Sequence, residues 1–342
     1  MPKLFPFRAT LPLAKADVFP LNNQPSLYIY YQLFGNNQCQ KGFVALIDPL
    51  DSSCILQHEA TFPDHVQSTI ASLEKVNTQI QPTFGLYDDP SQLLEPIMDE
   101  IIQQKPHEWT DPKGVIHQLK PLTDPSKISL FQEVLSERKI LLADGHHRLA
   151  ASKHLSTHQA KSSSDHKSYH MMYLVNAFPR LKDIKPFHKM YKMNPENREG
   201  LWAELKASFN LSLLPSGPSL ADLPKEGFYL LWGKEIYSLG YKAHSSEFPV
   251  VSTLLQIDKV IEGLKPSIIN YAYTEDEVEF YDQLDNGQFD FGILFPALPL
   301  EEIISSSENG IILPPKSTNF YPKPAENSLH FALDGGLVAN RN

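Results

Sequence analysis

Cysteine is nearly absent. The chain of 342 residues has two, Cys39 and Cys54. That is too few for a disulfide framework, and without a CxxC pair a cysteine-rich zinc site is excluded. Two free thiols in a reducing compartment are the plain expectation. Blocks of Lys and Arg are also missing. With 40 acidic and 30 basic residues the formal charge is −10. A nucleic-acid surface would need a local basic patch, and no helix-turn-helix pattern is visible either. No apolar run approaches the roughly 18 residues of a membrane span. The opening MPKLFPFRATLP lacks the apolar core of a signal peptide. The expected setting is cytoplasmic, with no membrane and no nucleic-acid partner. The glycines of a GxxxxGK[ST] phosphate loop are absent as well. What is there, at 42% hydrophobic and 20% charged residues, is a globular chain with a sizeable core and a length suited to about two domains.

Proline is abundant, 28 residues spread along the chain, so connections are stiff and long helices few. SLYIYYQLFG (26–35) and KGFVALIDPL (41–50) are rich in aromatic and β-branched residues. They read as neighbouring antiparallel strands joined by a short turn. Val66, Ile70, Leu73 and Val76 recur at helical spacing and predict an amphipathic helix over 63–76. Further helices are expected over 91–104, with Ser91 as N-cap, over 126–137, and from about His147 to His158. A short strand closed by a turn is expected over 82–90, further strands at 115–122, 139–144 and 171–178, and residues 158–170 read as a polar loop. A second unit begins near Asp183. It holds helices at 199–209, 251–264, 275–287 and 300–310, a hairpin turning near Gly233, and a strand at 289–298. Strands and helices alternate without a regular βαβ rhythm, which predicts α+β or mixed α/β architecture divided into 1–182 and a smaller 183–342.

Four stretches carry chemistry. In LLADGHHRLAASKHL (141–155) a buried-looking strand stops at Asp144-Gly145 and a helix begins. Such a start leaves backbone amides without partners, Gly145 allows close approach to the backbone, and Arg148 adds a bidentate donor. Together they suit an anion. The same residues also suit a plain helix cap by Asp144 with Arg148 in solvent. His146 and His147 are adjacent, so on a helix they diverge and chelate one metal ion poorly; no metal ligands are assigned. Glu59, in LQHEATFPDH (56–65), can project into a cleft as a base, or can belong with Thr61 and Asp64 to an ordinary helix start. Asp88 and Asp89 in LYDDP read as an Asp-rich turn, with Mg²⁺ ligation as the sharper alternative. In ILPPKSTNFYPK (312–323), two prolines stiffen the approach to Lys316, Ser317 and Thr318. These three suit phosphate, or simply an exposed proline-rich loop.

These stretches occur in a recognisable order. PFRAT stands near the start, HEAT at 58–61, LYDDP at 86–90, TDPKGVIHQL at 110–119, ADGHHRLAA at 143–151 and LPPKSTNFYPK at 313–323. On these motifs nearly the whole chain resembles DUF1015, a bacterial and archaeal family of unknown function. It departs from the family pattern at Leu149, where a tyrosine commonly follows DGHHR. It also lacks a PPYD-like piece before the first strand, and its late GLV follows an insertion-like AENSLHFALDG. More distantly, DGHHR resembles the phosphate-binding turn of free serine kinases in the ParB/sulfiredoxin-like superfamily. That resemblance implies a ParB/sulfiredoxin-like N-terminal portion, bound nucleotide (ADP or ATP) with Mg²⁺, and a glutamate base.

The leading expectation is a nucleotide-dependent phosphotransferase acting on a small hydroxylated metabolite. Asp144, Gly145, His146, His147 and Arg148 would bind the phosphates, with His146, His147 and Arg148 balancing developing charge. Glu59 would activate the acceptor hydroxyl, and Lys316, Ser317 and Thr318 would close the site. A nucleotide-binding regulatory module without turnover and a phosphoester hydrolase are the alternatives. A homodimer is compatible with each of them.

Overall fold

The computed structural model of the protein describes residues 2–12, 18–20, 22–35, 38–51, 53–159, 169–178, 184–215, 223–241 and 246–333. The chain divides into two compact units, Met1–Lys182 together with Pro322–Asn342, and Asp183–Tyr321. The sequence places one crossing near Asp183. The chain crosses again after Tyr321, so the tail of the PPKST stretch returns to the first unit. Phe331–Ala332 pairs antiparallel with Thr78–Gln79 there and secures the return.

The first unit is built on a mixed nine-stranded sheet. In chain order its strands are β1 (Leu4–Phe5), β2 (Leu27–Phe34), β3 (Gln38–Ile47), β4 (Ile55–Gln57), β5 (Thr83–Tyr87), β6 (His107–Thr110), β7 (Ile116–Leu122), β8 (Ile140–Asp144) and β9 (His170–Asn176). In space they run β4-β8-β5-β9-β3-β2-β7-β6, with β1 on β3. β2 and β3 form the expected antiparallel pair, with Tyr28 opposite Val44. Two pairs are parallel, β9 with β5 and, at the sheet edge, β8 with β4, where Ile140, Leu141 and Leu142 face Ile55, Leu56 and Gln57. Ile140 to Ala143 are all buried, the continuous apolar run of a strand covered on both faces.

Four helices accompany this sheet: α1 (Pro63–Val76), α2 (Glu95–Ile102), α3 (Pro125–Ser136) and α4 (His146–Gln159). α1 packs on α4 through Ile70, Ala151 and Leu155, with Val66 and Leu73 at the margin. Val66, Ile70 and Leu73 are three of the four apolar positions whose spacing predicts α1; the fourth, Val76, is exposed. α2 and α3 cover a second cluster with Met98, Ile101, Phe131 and Leu135. α3 is capped by Asp124, whose carboxylate accepts from the Ser126 and Lys127 amides. α2 starts at Glu95, so Ser91 is not its cap. Gln92 has a φ of 51° and the Leu93 amide donates to Asp89, so a turn occupies the residues expected to open the helix. Most of the expected 158–170 loop, residues 160–168, lies outside the described residues.

The second unit is a six-stranded antiparallel sheet of β10 (His188–Met193), β11 (Phe209–Leu213), β12 (Tyr229–Trp232), β13 (Glu235–Tyr241), β14 (Ile268–Thr274) and β15 (Phe291–Leu294), ordered β11-β13-β12-β15-β10-β14. Its helices are α5 (Arg198–Ser208), α6 (Pro249–Gly263), α7 (Glu277–Asp285) and α8 (Leu300–Glu308). Met190, Tyr229, Leu231, Phe280 and Leu294 form one of its core clusters. The fold is mixed α/β. Among the described residues no helix is long and apolar enough to cross a membrane.

Candidate anion-binding site

β8 ends at Asp144, Gly145 turns the chain, and α4 begins at His146. Gly145 has a φ of +93°, a conformation that L side chains rarely adopt. A Cβ there would also lie 2.5 Å from Thr83 Cγ2 and 3.0 Å from Arg148 Nη2. The turn is therefore tight as well as twisted, and only glycine fits it. α4 has no acid in its first turn; it opens with His146, His147 and Arg148. That inverts the usual preference for negative charge at a helix N-terminus.

Asp144 faces two cations. Its Oδ2 accepts from Arg148 Nη2 at 2.9 Å, and its Oδ1 lies 2.7 Å from Lys323 Nζ. Arg148 is held further: its Nη1 donates to the carbonyls of Gln81 and Pro82 at 3.1 and 2.9 Å. This is neither a guanidinium in solvent nor one with its whole fork open to a ligand. Sequence reasoning missed Lys323. Its signal was the YPKP tail, where a proline on each side removes backbone donors and favours extended chain.

The two histidines of the turn diverge. His146 is 7% exposed and its ring meets that of His58 edge-on at 4.7 Å. Its Nε2 is buried without a hydrogen-bond partner. Burial, and then the charges of His58, His147 and Lys323, hold it well below the usual histidine range. It therefore offers a neutral ring, not a charge. His58 is fully buried, and burial pushes it down to about 4 against the opposing pull of Leu142 and Asp144. His147 turns toward α1, where its Nε2 accepts from the Phe62 amide at 2.9 Å. In the neutral ring that bond leaves the proton on Nδ1.

Glu59 is half-buried and lies two residues beyond β4. Because β4 runs parallel to β8, both chains leave the sheet at the same edge, the carboxyl ends where ligands of such sheets gather. Lys316, Ser317 and Thr318 belong to the second unit. There the Lys316 ammonium lies 5.4 and 5.2 Å from the ring centres of Phe187 and Tyr273, and the Ser317 hydroxyl donates to the Pro314 carbonyl at 2.7 Å. In LYDDP, Asp89 is fully buried; its carboxylate accepts from the Leu93 amide and its own amide donates to Asn176. That is a structural turn. Among the described residues no group of three or more His, Cys, Asp or Glu side chains is placed to hold a metal ion.

A cavity of about 450 Å³ adjoins the turn. Arg148, Ser152, His170 and Gln81 line it, with Ser68 and Ser72 of α1 opposite. Hydrogen bonds link Ser152 Oγ to His170 Nδ1 (2.8 Å) and His170 Nε2 to Thr83 Oγ1 (2.9 Å). Thr83 is the residue packed against Gly145, so one buried chain of contacts connects cavity wall and turn. His170 is pushed by burial down to about 3 and acts here as a neutral bridge.

The family described as "Protein of unknown function (DUF1015)" matches residues 12–261. Among solved structures, a mutant free serine kinase in complex with AMP is 13% identical, with a TM-score of 0.48 over 80% of this chain and 88% of that one. A conserved hypothetical protein from Pyrococcus furiosus is 14% identical, with a TM-score of 0.46 over 83% and 94%. SbnI with a C-terminal truncation, from Staphylococcus aureus, is 15% identical, with a TM-score of 0.46 over 83% and 85%. No curated protein matches.

Proposed function

The chain belongs to the DUF1015 family, whose name carries no activity, and we propose from its site that it is a nucleotide-dependent phosphotransferase acting on a small hydroxylated metabolite. The observation that carries this reading is the Gly145 turn. A helix N-terminus opens on a glycine that tolerates no side chain, has no acid in its first turn but Arg148 there and Lys323 beside it, and holds a buried His146 nitrogen without a partner. Each of these favours an anion with several acceptor oxygens.

In this reading the phosphate chain of ADP or ATP lies on the amides that open α4. His147 stands beside them as the second residue of α4, its ring held by the Phe62 amide. Arg148 fixes the turn by holding Asp144 and the 81–82 carbonyls. Glu59, leaving the same sheet edge, orients the acceptor hydroxyl and takes its proton. Mg²⁺ keeps most of its water and takes few protein oxygens, so it would arrive on the nucleotide and supply charge neutralisation there.

The test is phosphorus NMR of the full chain with ADP or ATP, Mg²⁺ and a panel of hydroxylated metabolites. The expected result is nucleotide consumption that needs an acceptor and falls at least about a hundredfold in Glu59→Gln, the range of a general base. Binding without consumption would favour the regulatory module. Phosphate release without an acceptor would favour the hydrolase.

A further inference from the structure

The two cations at the turn are not equivalent. Arg148 already places three of its N–H groups on Gln81, Pro82 and Asp144. Lys323 makes one 2.7 Å contact, to Asp144 Oδ1, and its side chain is 39% exposed. An ammonium has three donors, so Lys323 has donors to offer an incoming anion where Arg148 has few.

The way Lys323 is delivered is also unusual. Pro322, Lys323, Pro324 and Ala325 each have a backbone group bound by a side chain of the first unit. Gln40 Nε2 donates to the Pro322 carbonyl at 3.0 Å, Gln32 Nε2 to that of Lys323 at 2.8 Å, and Gln81 Nε2 to that of Pro324 at 2.9 Å. The Ala325 amide donates to the Tyr30 hydroxyl at 3.1 Å. Gln32 and Gln40 are buried and bonded to each other, and Tyr30 is bonded to His117. The two prolines have no N–H to satisfy, so a short extended segment is fixed almost completely by side chains. A half-exposed ion pair contributes little stability, and a positive charge beside a helix N-terminus opposes the dipole. Stability therefore does not explain why four side chains, three of them buried, converge to hold one lysine there.

We propose that Lys323 is the ligand-contacting cation of the anion site, and that Arg148 is a positioning residue which holds Asp144 and the turn. Asp144 keeps the Lys323 ammonium at the opening of α4, and a bound phosphate chain takes up its remaining donors. The buried Nε2 of His146, in the same turn, is the independent sign that a partner is expected there. This inference rests on the phosphate-site reading above.

Two measurements on the full chain test it, with ADP and inorganic pyrophosphate as probes. In the first, acetylation of Lys323 in the unaltered protein is followed by peptide mass spectrometry with and without saturating probe. Lys323 is expected to be protected severalfold. In the second, calorimetry compares the unaltered protein with Lys323→Met and Lys323→Arg. Methionine is expected to weaken binding about ten- to a hundredfold, the value of a charge-assisted hydrogen bond, and arginine to restore much of it. The labelling needs no variant, so a misfolded Lys323→Met leaves the question answerable. Binding that is unchanged in Lys323→Met, or labelling that is unchanged or faster with probe bound, overturns the role of Lys323 alone. Failure of the unaltered protein to bind either probe overturns this role together with the phosphate site.

Discussion

Two helix N-termini, one in each unit, are served in opposite ways. In the second unit, α6 has no acid in its first turn, and Glu302 of α8 supplies one: its Oε2 accepts from the Val250 and Val251 amides, both at 3.0 Å. α7 is capped by Asp276. In the first unit, α4 begins with two histidines and an arginine, and the acid before it, Asp144, is turned to two cations. A helix whose dipole is met by the chain's own carboxylate has no need of a ligand. One that gathers positive charge at the same end does. Buried histidines occur in both units: His58, His117, His146 and His170 in the first, and His188, which accepts from the Phe295 amide, in the second.

The largest expected contrast is in acid. Burial holds His58 at about 4 and His170 at about 3, below the ordinary value of 6.5. Above 6.5 folded and unfolded chains are both neutral at these groups and nothing is lost. As pH falls below it the unfolded chain takes up protons that the folded chain refuses. Stability therefore declines toward the folded values and levels off beneath them. At pH 5 the loss is roughly 2 kcal/mol for each group. His188, at about 4, follows the same course in the second unit. Hydrogen exchange between pH 7 and 5, corrected for intrinsic rates, should show β9 losing more protection than β10. Equal losses would mean that the buried histidines do not distinguish the units.

Next is a pair of glycine substitutions. Gly145→Ala meets both a forbidden φ and the Thr83 side chain, and should destabilise the first unit by about 3 kcal/mol or more. Gly233→Ala, at the hairpin between β12 and β13, has a φ of +60° with nothing within 4 Å of the added carbon. It should cost about 1 kcal/mol, the backbone term alone. Urea denaturation measures both. Equal costs would show that the close packing at Gly145 relaxes freely.

What could be read from sequence follows from how local each signal is. β2, β3, β8 and α1 were legible because their signals are local: runs rich in aromatic and β-branched residues, a continuous apolar run, and a helical spacing. β10 and β14 were not expected: HKMYKM places lysines between its apolar residues, and IINYAYT leaves most of its side chains on the surface. At the site, Asp144 to Arg148 lie in one contiguous stretch and could be singled out as a group. Lys323 reaches Asp144 from the far end of the chain, on a segment whose carbonyls accept from Gln32, Gln40 and Gln81 and whose Ala325 amide donates to Tyr30. No local pattern encodes that convergence. The same limit explains Arg148: its residue type suggests a phosphate donor, and only the 81–82 carbonyls reveal how much of its fork is already engaged.

The smallest effect is expected at the N-terminus of α6. Glu302→Ala removes the carboxylate that serves the Val250 and Val251 amides. Water can reach a helix end and replace part of what is lost, so the cost should be that of a missing cap, about 1 to 2 kcal/mol. It should appear as lower protection in the second unit, with affinity for ADP unchanged. Glu302→Gln keeps an acceptor oxygen and should recover roughly half of the loss, since the dipole then meets no charge. If Glu302→Ala instead makes α6 bind phosphate, measured as a new salt-sensitive site for pyrophosphate, an exposed helix N-terminus would be enough to make an anion site. The cations, the glycine turn and the buried histidine of α4 would then be additions rather than requirements. The expected outcome is the opposite: α6 without its acid stays empty, because it lacks the residues that α4 assembles around Gly145.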